Sequence, residues 1–283
     1  GEALQKPAGA SCGHGPDTRL SGQPLDALGL VKIDNSLRRA RIGDMIREQT
    51  TVIIGDDGIA QILFYEKTVS VAQIQQKLAP GINLRSNIWL FNHLTETIDA
   101  RMLHSIKQDD FGILPHKISL SLNMSTVMGK HFRQSAEAVA EHSSKVIIEL
   151  QQLDVFSNIP QYREVRDYLK ERGYGVLIDG LSQQLLKLVD PGALNADYYK
   201  VGWDVEFAET ESDKDHAAIG KLIGGIGQDS IILTRAESQD AVRWGLTLGV
   251  QRFQGFFIDT LVNRKTEKDR KRPGSQRQTG QVH

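Results

Sequence analysis

Between residues 117 and 253, short β-branched runs alternate with longer amphipathic stretches, and few folds accommodate that order. The strand-like runs are 117–122, 146–150, 175–178, 198–201, 230–233 and 250–253. The helix-like stretches between them are 132–141, 159–172, 181–189, 214–226 and 236–248. Strands that alternate with helices this regularly predict an α/β fold, a parallel sheet with helices outside it. A closed barrel and an open doubly wound sheet both fit, and periodicity does not choose between them.

Upstream, 51–54 and 62–65 flank Asp57-Gly58, a turn pair that predicts a hairpin. Residues 88–105 repeat Ile88, Leu90, Phe91, Leu94, Ile98 and Met102 at helical spacing. Residues 1–35, rich in Gly, Pro, Ser and Asp without a period, read as a flexible leader or linker. The folded unit is expected over 36–262, followed by a basic disordered tail over 263–283. No aromatic residues interleave with the tail's cations to stack on bases, so it reads as a solvated segment rather than a nucleic-acid arm.

The charge balance, 34 Lys and Arg against 35 Asp and Glu, gives no overall pull toward nucleic acid or an anionic membrane. No run of about 18 apolar residues is present, and the start of the chain lacks a basic-then-apolar signal pattern. No membrane span is expected, and the default location is cytoplasmic. The lone cysteine, Cys12, has only His14 beside it, too few ligands for a tetrahedral zinc site.

In parallel α/β folds chemistry gathers beyond the carboxyl ends of the strands. The polar residues there are Asn123, Glu149, Asp179, Lys200, Thr234 and Gln254. Glu149 and Asp179 lie in or against apolar runs, where a carboxylate costs several kcal/mol of desolvation unless a cation or donors meet it. Each acid alone could be an ordinary capped strand end; Asn, Glu, Asp and Lys together point to a polar pocket at one end of the sheet. Other motifs carry less. The Gly-rich stretch 220–227 lacks the Gly-Lys-Ser/Thr ending of a phosphate loop and precedes a strand, so it reads as a helix end and turn. His93, His104, His116, His131, His142 and His216 show no paired ligand spacing, and no Gly-x-Ser-x-Gly elbow is present.

These residues resemble the EAL domains, phosphodiesterases of bacterial cyclic-di-GMP signalling, from about Leu37 to Ile258. ISLSLNMS (118–125) looks like the strand ending in the family's metal-binding asparagine, here Asn123. VIIELQQ (146–152) resembles the Glu-x-x-Glu strand, with Glu149 at the metal-ligand position. GYGVLIDGLS (173–182) resembles the strand of paired aspartates, and DYYKVG (197–202) the Lys-Ile-Asp strand, with Lys200 its lysine. SIILTRAES (230–238) keeps the second glutamate of Ala-Glu-Gly-Val-Glu-Thr as Glu237. LGVQRFQGFF (248–257) looks like the closing strand, with Gln254. The resemblance implies a modified TIM-like (β/α)8 barrel, and in its active members two divalent cations that activate a water.

Carried over by position, the first metal's ligands would be Gln61, Asn123, Glu149 and Asp179. QILFY (61–65) stands for the signature EALLR, so Gln61 has lost the charge, and Tyr65 takes the place of a phosphate-binding arginine. Glu66, an odd five residues on, is expected to face away from Gln61. The second aspartate is Gly180, Thr234 replaces a further glutamate, and Gln152 replaces the one that braces the catalytic loop.

The resemblance therefore implies a degenerate member: no catalytic residues beyond the remnants Lys200 and Glu237, and no cofactor, or at most one weakly bound Mg²⁺ or Mn²⁺ on the remnants Asn123, Glu149 and Asp179. A protein partner is expected, with a homodimer allowed. Cyclic-di-GMP binding without turnover, through Gln61, Leu63, Lys200, Glu237 and Gln254, is the alternative, as is weak residual phosphodiesterase activity.

Overall fold

The computed structural model describes residues 22–106, 111–203, 220–221 and 223–271. The earlier part of the expected leader, the start of the 214–226 helix, His216, Cys12, His14 and the end of the expected tail lie outside them.

The sheet closes into an eight-stranded barrel, which settles what periodicity left open. After a two-residue strand β1 (Gln23–Pro24) and helix α1 (Ala27–Arg39), β2 (Ile46–Ile54) and β3 (Ala60–Val69) form the hairpin read from Asp57-Gly58. Gly58 closes that turn at φ 73°, a backbone region that suits glycine. Then come α2 (Val71–Leu78), the short β4 (Ile82–Asn83), α3 (Ile88–Ile106), β5 (Lys117–Ser121), α4 (Met124–Val127) and α5 (Lys130–Ala138). The second half runs β6 (Val146–Gln151), α6 (Gln152–Ser157), α7 (Ile159–Glu171), β7 (Gly175–Leu181), α8 (Gln183–Leu188) and β8 (Tyr198–Gly202). It ends with β9 (Ile231–Thr234), α9 (Gln239–Thr247), β10 (Arg252–Gln254) and α10 (Phe256–Lys271).

Around the barrel the order is β10-β2-β3-β5-β6-β7-β8-β9. Only β2 runs against its neighbours, pairing antiparallel with both β3 and β10, so the barrel departs from uniform parallel pairing at one strand.

Side chains alternate across each strand wall. Ile118, Leu120, Ile148, Leu150, Val176, Ile178, Tyr199, Val201, Ile231 and Leu233 face outward into one large core shared with the helices. The alternate positions fill the barrel in layers. The layer nearer the amino ends is apolar: Phe64, Ile147, Leu177 and Ile232, with Leu63 and Tyr198 against them. Two residues further along, the same strands present Glu66, Glu149, Asp179, Lys200 and Thr234. A dry plug below and a polar layer above thus come from the period of two alone.

Two boundaries differ from expectation. Residues 27–35 belong to α1, not to a leader: Asp26 caps the helix by accepting from the Gly29 N–H at 2.6 Å, and Leu30, Ile33 and Leu37 are buried. Leader-like composition around them hid an amphipathic face. At the other end α10 continues through Lys271, past the expected boundary at 263, because the Asn-to-Lys stretch contains no Gly or Pro to stop it.

Candidate functional site

The polar layer converges on one ammonium. Lys200, on β8, is 2% exposed; its Nζ lies 2.6 Å from Glu66 Oε2 and 2.7 Å from Glu149 Oε2. The side chain of Glu149 is also 2% exposed and that of Glu66 14%. Gln254, buried at the end of β10, donates from Nε2 to the same Glu66 Oε2 at 2.7 Å. Burial, and next the negative charge of Glu66, push the Glu149 pKa well above the usual carboxylate range, and Lys200 pulls against them. Burial works against the Lys200 charge, but Glu149 and Glu66 outweigh it and raise its pKa above the ordinary lysine value.

Glu66 is the residue that sequence reasoning misplaced. A bulge shifts the hairpin register: Thr51 pairs with Phe64 but Val52 pairs with Ile62, leaving Leu63 as an extra residue. One inserted residue reverses the side-chain parity, so the odd offset from Gln61 does not turn Glu66 away from the barrel interior. The available signal was an acid inside a run that stays strand-like to Val69.

Gln61 does not reach this layer. It is exposed at the hairpin end of β3, paired with Ile53, about 17 Å down the strand from Glu66 at strand rise. Leu63 packs on the apolar plug below the polar layer. Tyr65 lies on the other wall, beside Ile118, and meets His116 edge-on with ring centroids 5.7 Å apart. The carry-over around QILFY therefore fails as a description of the interior. Glu237 is exposed in the turn after β9, outside the Lys200 cluster.

Asn123 stands at the carboxyl end of β5 with its amide committed elsewhere. Its Nδ2 donates to Asp99 Oδ2 at 2.7 Å and to Thr95 Oγ1 at 3.0 Å, both on α3. The buried Asp99 Oδ2 also accepts from the Asn123 N–H and the Thr126 hydroxyl, and burial lifts its pKa to about 7 against those bonds. Asp179 accepts from Gln151 Nε2 at 2.9 Å. Beside it Gly180 sits at φ 87°, where the β7–β8 register shifts, and Thr234 turns its hydroxyl to the Val201 carbonyl at 3.3 Å. Gln152 Oε1 is buried with no partner among the described residues.

These residues do not fit a pair of divalent cations. Two such ions held close together need converging carboxylates. Among the described residues no three His, Cys, Asp or Glu side chains converge where one metal could be held. Of the remnant ligands, Glu149 is spent on Lys200, Asp179 on Gln151 and the Asn123 amide on α3.

A cation that sequence reading passed over also reaches the mouth. Arg235, at φ 57°, lays its guanidinium 3.7 Å from where a Cβ on Gly202 would stand, across the end of β8.

No protein-family model matches the sequence, and no curated protein matches it. Solved structures do. Vibrio cholerae LapD, an S helix-GGDEF-EAL chain bound to c-di-GMP, superposes with a TM-score of 0.60 at 12% identity, over 81% of this chain and 57% of that one. The EAL domain of Xanthomonas citri FimX, in complex with c-di-GMP, gives 0.59 at 9% identity over 81% and 92%. Klebsiella pneumoniae BlrP1, a calcium and c-di-GMP complex, gives 0.51 at 16% identity over 76% and 55%. The chain thus spans little more than half of the BlrP1 and LapD chains and nearly all of the FimX domain. The chain shares the fold of the EAL domains in these structures. In this chain that fold carries a lysine-centred polar layer. Among the described residues no helix is long and apolar enough to cross a membrane.

Proposed function

We propose that this chain is a catalytically inactive EAL-type signalling module, acting through contacts with another protein and holding no resident metal. One observation carries the reading: Lys200 fills the space between Glu149 and Glu66, so the acid best placed to hold a metal already has its counter-charge. Gly180 and Thr234 supply no carboxylate for a second ion, and an in-line attack needs a water activated by metals that this donor set does not favour. The test is incubation of the full chain with cyclic-di-GMP and Mn²⁺, followed by chromatography. No linear dinucleotide is expected; its appearance at a rate proportional to protein concentration overturns the reading in favour of a residual phosphodiesterase.

A second reading is a receptor that binds cyclic-di-GMP without cleaving it. It is supported by Arg235 at the mouth, a guanidinium able to make a charge-assisted bond to a phosphate, and by the dinucleotide held by the LapD and FimX structures. Calorimetry separates the two: heat that saturates at micromolar ligand and is lost in Arg235→Ala favours the receptor, and no heat favours the protein-contact module.

A further inference from the structure

A cavity of about 380 Å³ opens on the outer side of the barrel, between α5, the 3₁₀ turn Ala140–Lys145 and the end of α7. Those segments lead into β6 and β7, so the cavity lies at the end of the barrel opposite Asp179 and Arg235. Ala136 and Ala140 line it and are too short to fill it. One side is aromatic. Buried Phe132 holds Tyr168 and Tyr174 together, with ring centroids 6.3 and 5.5 Å from its own.

The polar groups that border this hollow have most of their bonding capacity left. Arg172 is fixed on Tyr168: its Cζ lies 3.8 Å from the ring centroid, and Nη1 donates to the Tyr168 carbonyl at 3.1 Å. Arg133 donates from Nη2 to the Met128 carbonyl at 2.9 Å. A guanidinium has five N–H groups, so each arginine keeps several donors for another partner. Glu137 stands one turn after Arg133 on α5, a spacing at which opposite charges commonly pair. The two form no ion pair among the described residues, and both line the cavity.

Tyr174 contributes a hydroxyl from the cavity wall. The residue is 5% exposed, and burial pushes its pKa up to about 12, so the hydroxyl stays protonated at neutral pH. It makes no hydrogen bond among the described residues. Polar groups on so buried a side chain are seldom left without a partner unless water or a ligand completes them.

Charge and shape narrow the occupant. A phosphomonoester carries nearly two negative charges at neutral pH and suits two guanidinium forks, whereas a phosphodiester carries one. A planar base has aromatic rings and a guanidinium plane to stack on. Glu137 can accept from an amino group on that base. The volume stands at the small end for ligand sites, the scale of one nucleotide and not of two.

We propose that this cavity binds a nucleoside monophosphate whose base bears an amino group, the phosphate on Arg133 and Arg172 and the amine on Glu137. The site is separate from the mouth and independent of whether cyclic-di-GMP binds there.

The experiment is calorimetric titration of the full chain with AMP, folding of each variant checked by circular dichroism. Saturable binding is expected, weakened about tenfold or more in Arg172→Ala and in Arg133→Ala, the effect of losing a charge-assisted bond. Ala140→Leu, which fills the hollow and leaves both arginines in place, is expected to weaken it as well, and stands in for any arginine variant that fails to fold. Inorganic phosphate and adenosine are each expected to bind at least tenfold more weakly than AMP. Absence of heat at millimolar AMP overturns the proposal, as does phosphate or adenosine binding as tightly as AMP. Affinity that survives Ala140→Leu and both arginine variants overturns it too. So does affinity lost in Arg235→Ala but kept in Arg172→Ala, which places the nucleotide at the mouth.

Discussion

Lys200 and Glu149 meet at 2.7 Å inside the barrel, each side chain 2% exposed, and Glu66 closes on the same ammonium from the opposite wall. The three groups are not equivalent. Removing the lysine strands two buried charges, whereas removing Glu149 leaves a balanced pair.

That asymmetry fixes the order of stability in variants. Lys200→Met is expected to lower unfolding free energy by about 3–5 kcal/mol, the usual result of orphaning a buried charge. Glu149→Gln keeps Lys200 paired with Glu66 and removes an acid that burial already disfavours in its ionised form, so about 0.5–1.5 kcal/mol is expected. Urea unfolding of both variants at pH 7 measures the difference; equal losses contradict it.

Asp99 gives stability a pH dependence of unusual sign for an acid. Its folded pKa is raised by burial from 3.8 to about 7, so between those values the folded chain holds a proton that the unfolded chain has released. Stability contributed by this group is greatest below pH 4, declines as pH rises toward about 7, and is flat beyond. Asp99→Asn keeps an oxygen for the Asn123 and Thr126 donors and cannot ionise. The variant is expected to gain on the unaltered chain as pH goes from 5 to 8 in paired denaturant titrations. A constant offset between the two chains counts against a raised Asp99 pKa.

Restoring an aspartate beside Asp179 is expected to fail on backbone grounds. Gly180 holds φ 87° at the β7 irregularity, and a Cβ there would lie 3.4 Å from Gln152 Cγ. Gly180→Asp is expected to cost about 1–2 kcal/mol of stability, the general penalty for a left-handed residue with a side chain. It is expected to yield no Mn²⁺-dependent cleavage, because Thr234 still lacks the remaining carboxylate. Chromatography of the variant's reaction with cyclic-di-GMP checks the second expectation, and thermal unfolding the first.

The parallel α/β sheet was readable from the sequence because its strands are covered on both faces and so appear as apolar runs, from Ile118 to Phe253, whereas its closure into a barrel was implied only by the resemblance to EAL domains. Lys200, Glu149 and Gln254 were readable as polar intrusions into those runs. Glu66 was not, because a bulge of one residue reverses parity and leaves no mark in composition. Helix α1 was obscured for a different reason: its Leu30, Ile33 and Leu37 stripe begins only a few residues after a Gly- and Pro-rich stretch, so composition marks a later boundary than apolar spacing does. Neither the commitment of the Asn123 amide to Asp99 nor the position of Arg235 over Gly202 can be read without the packing of α3 and the β9 turn.

The most direct measurement is anomalous scattering from a crystal of the unaltered chain soaked in Mn²⁺. Lys200 Nζ is expected in density between Glu66 and Glu149, with no manganese peak in the polar layer. Two manganese peaks a few ångströms apart beside Asp179, with the lysine swung away, would contradict a barrel that supplies its own cation.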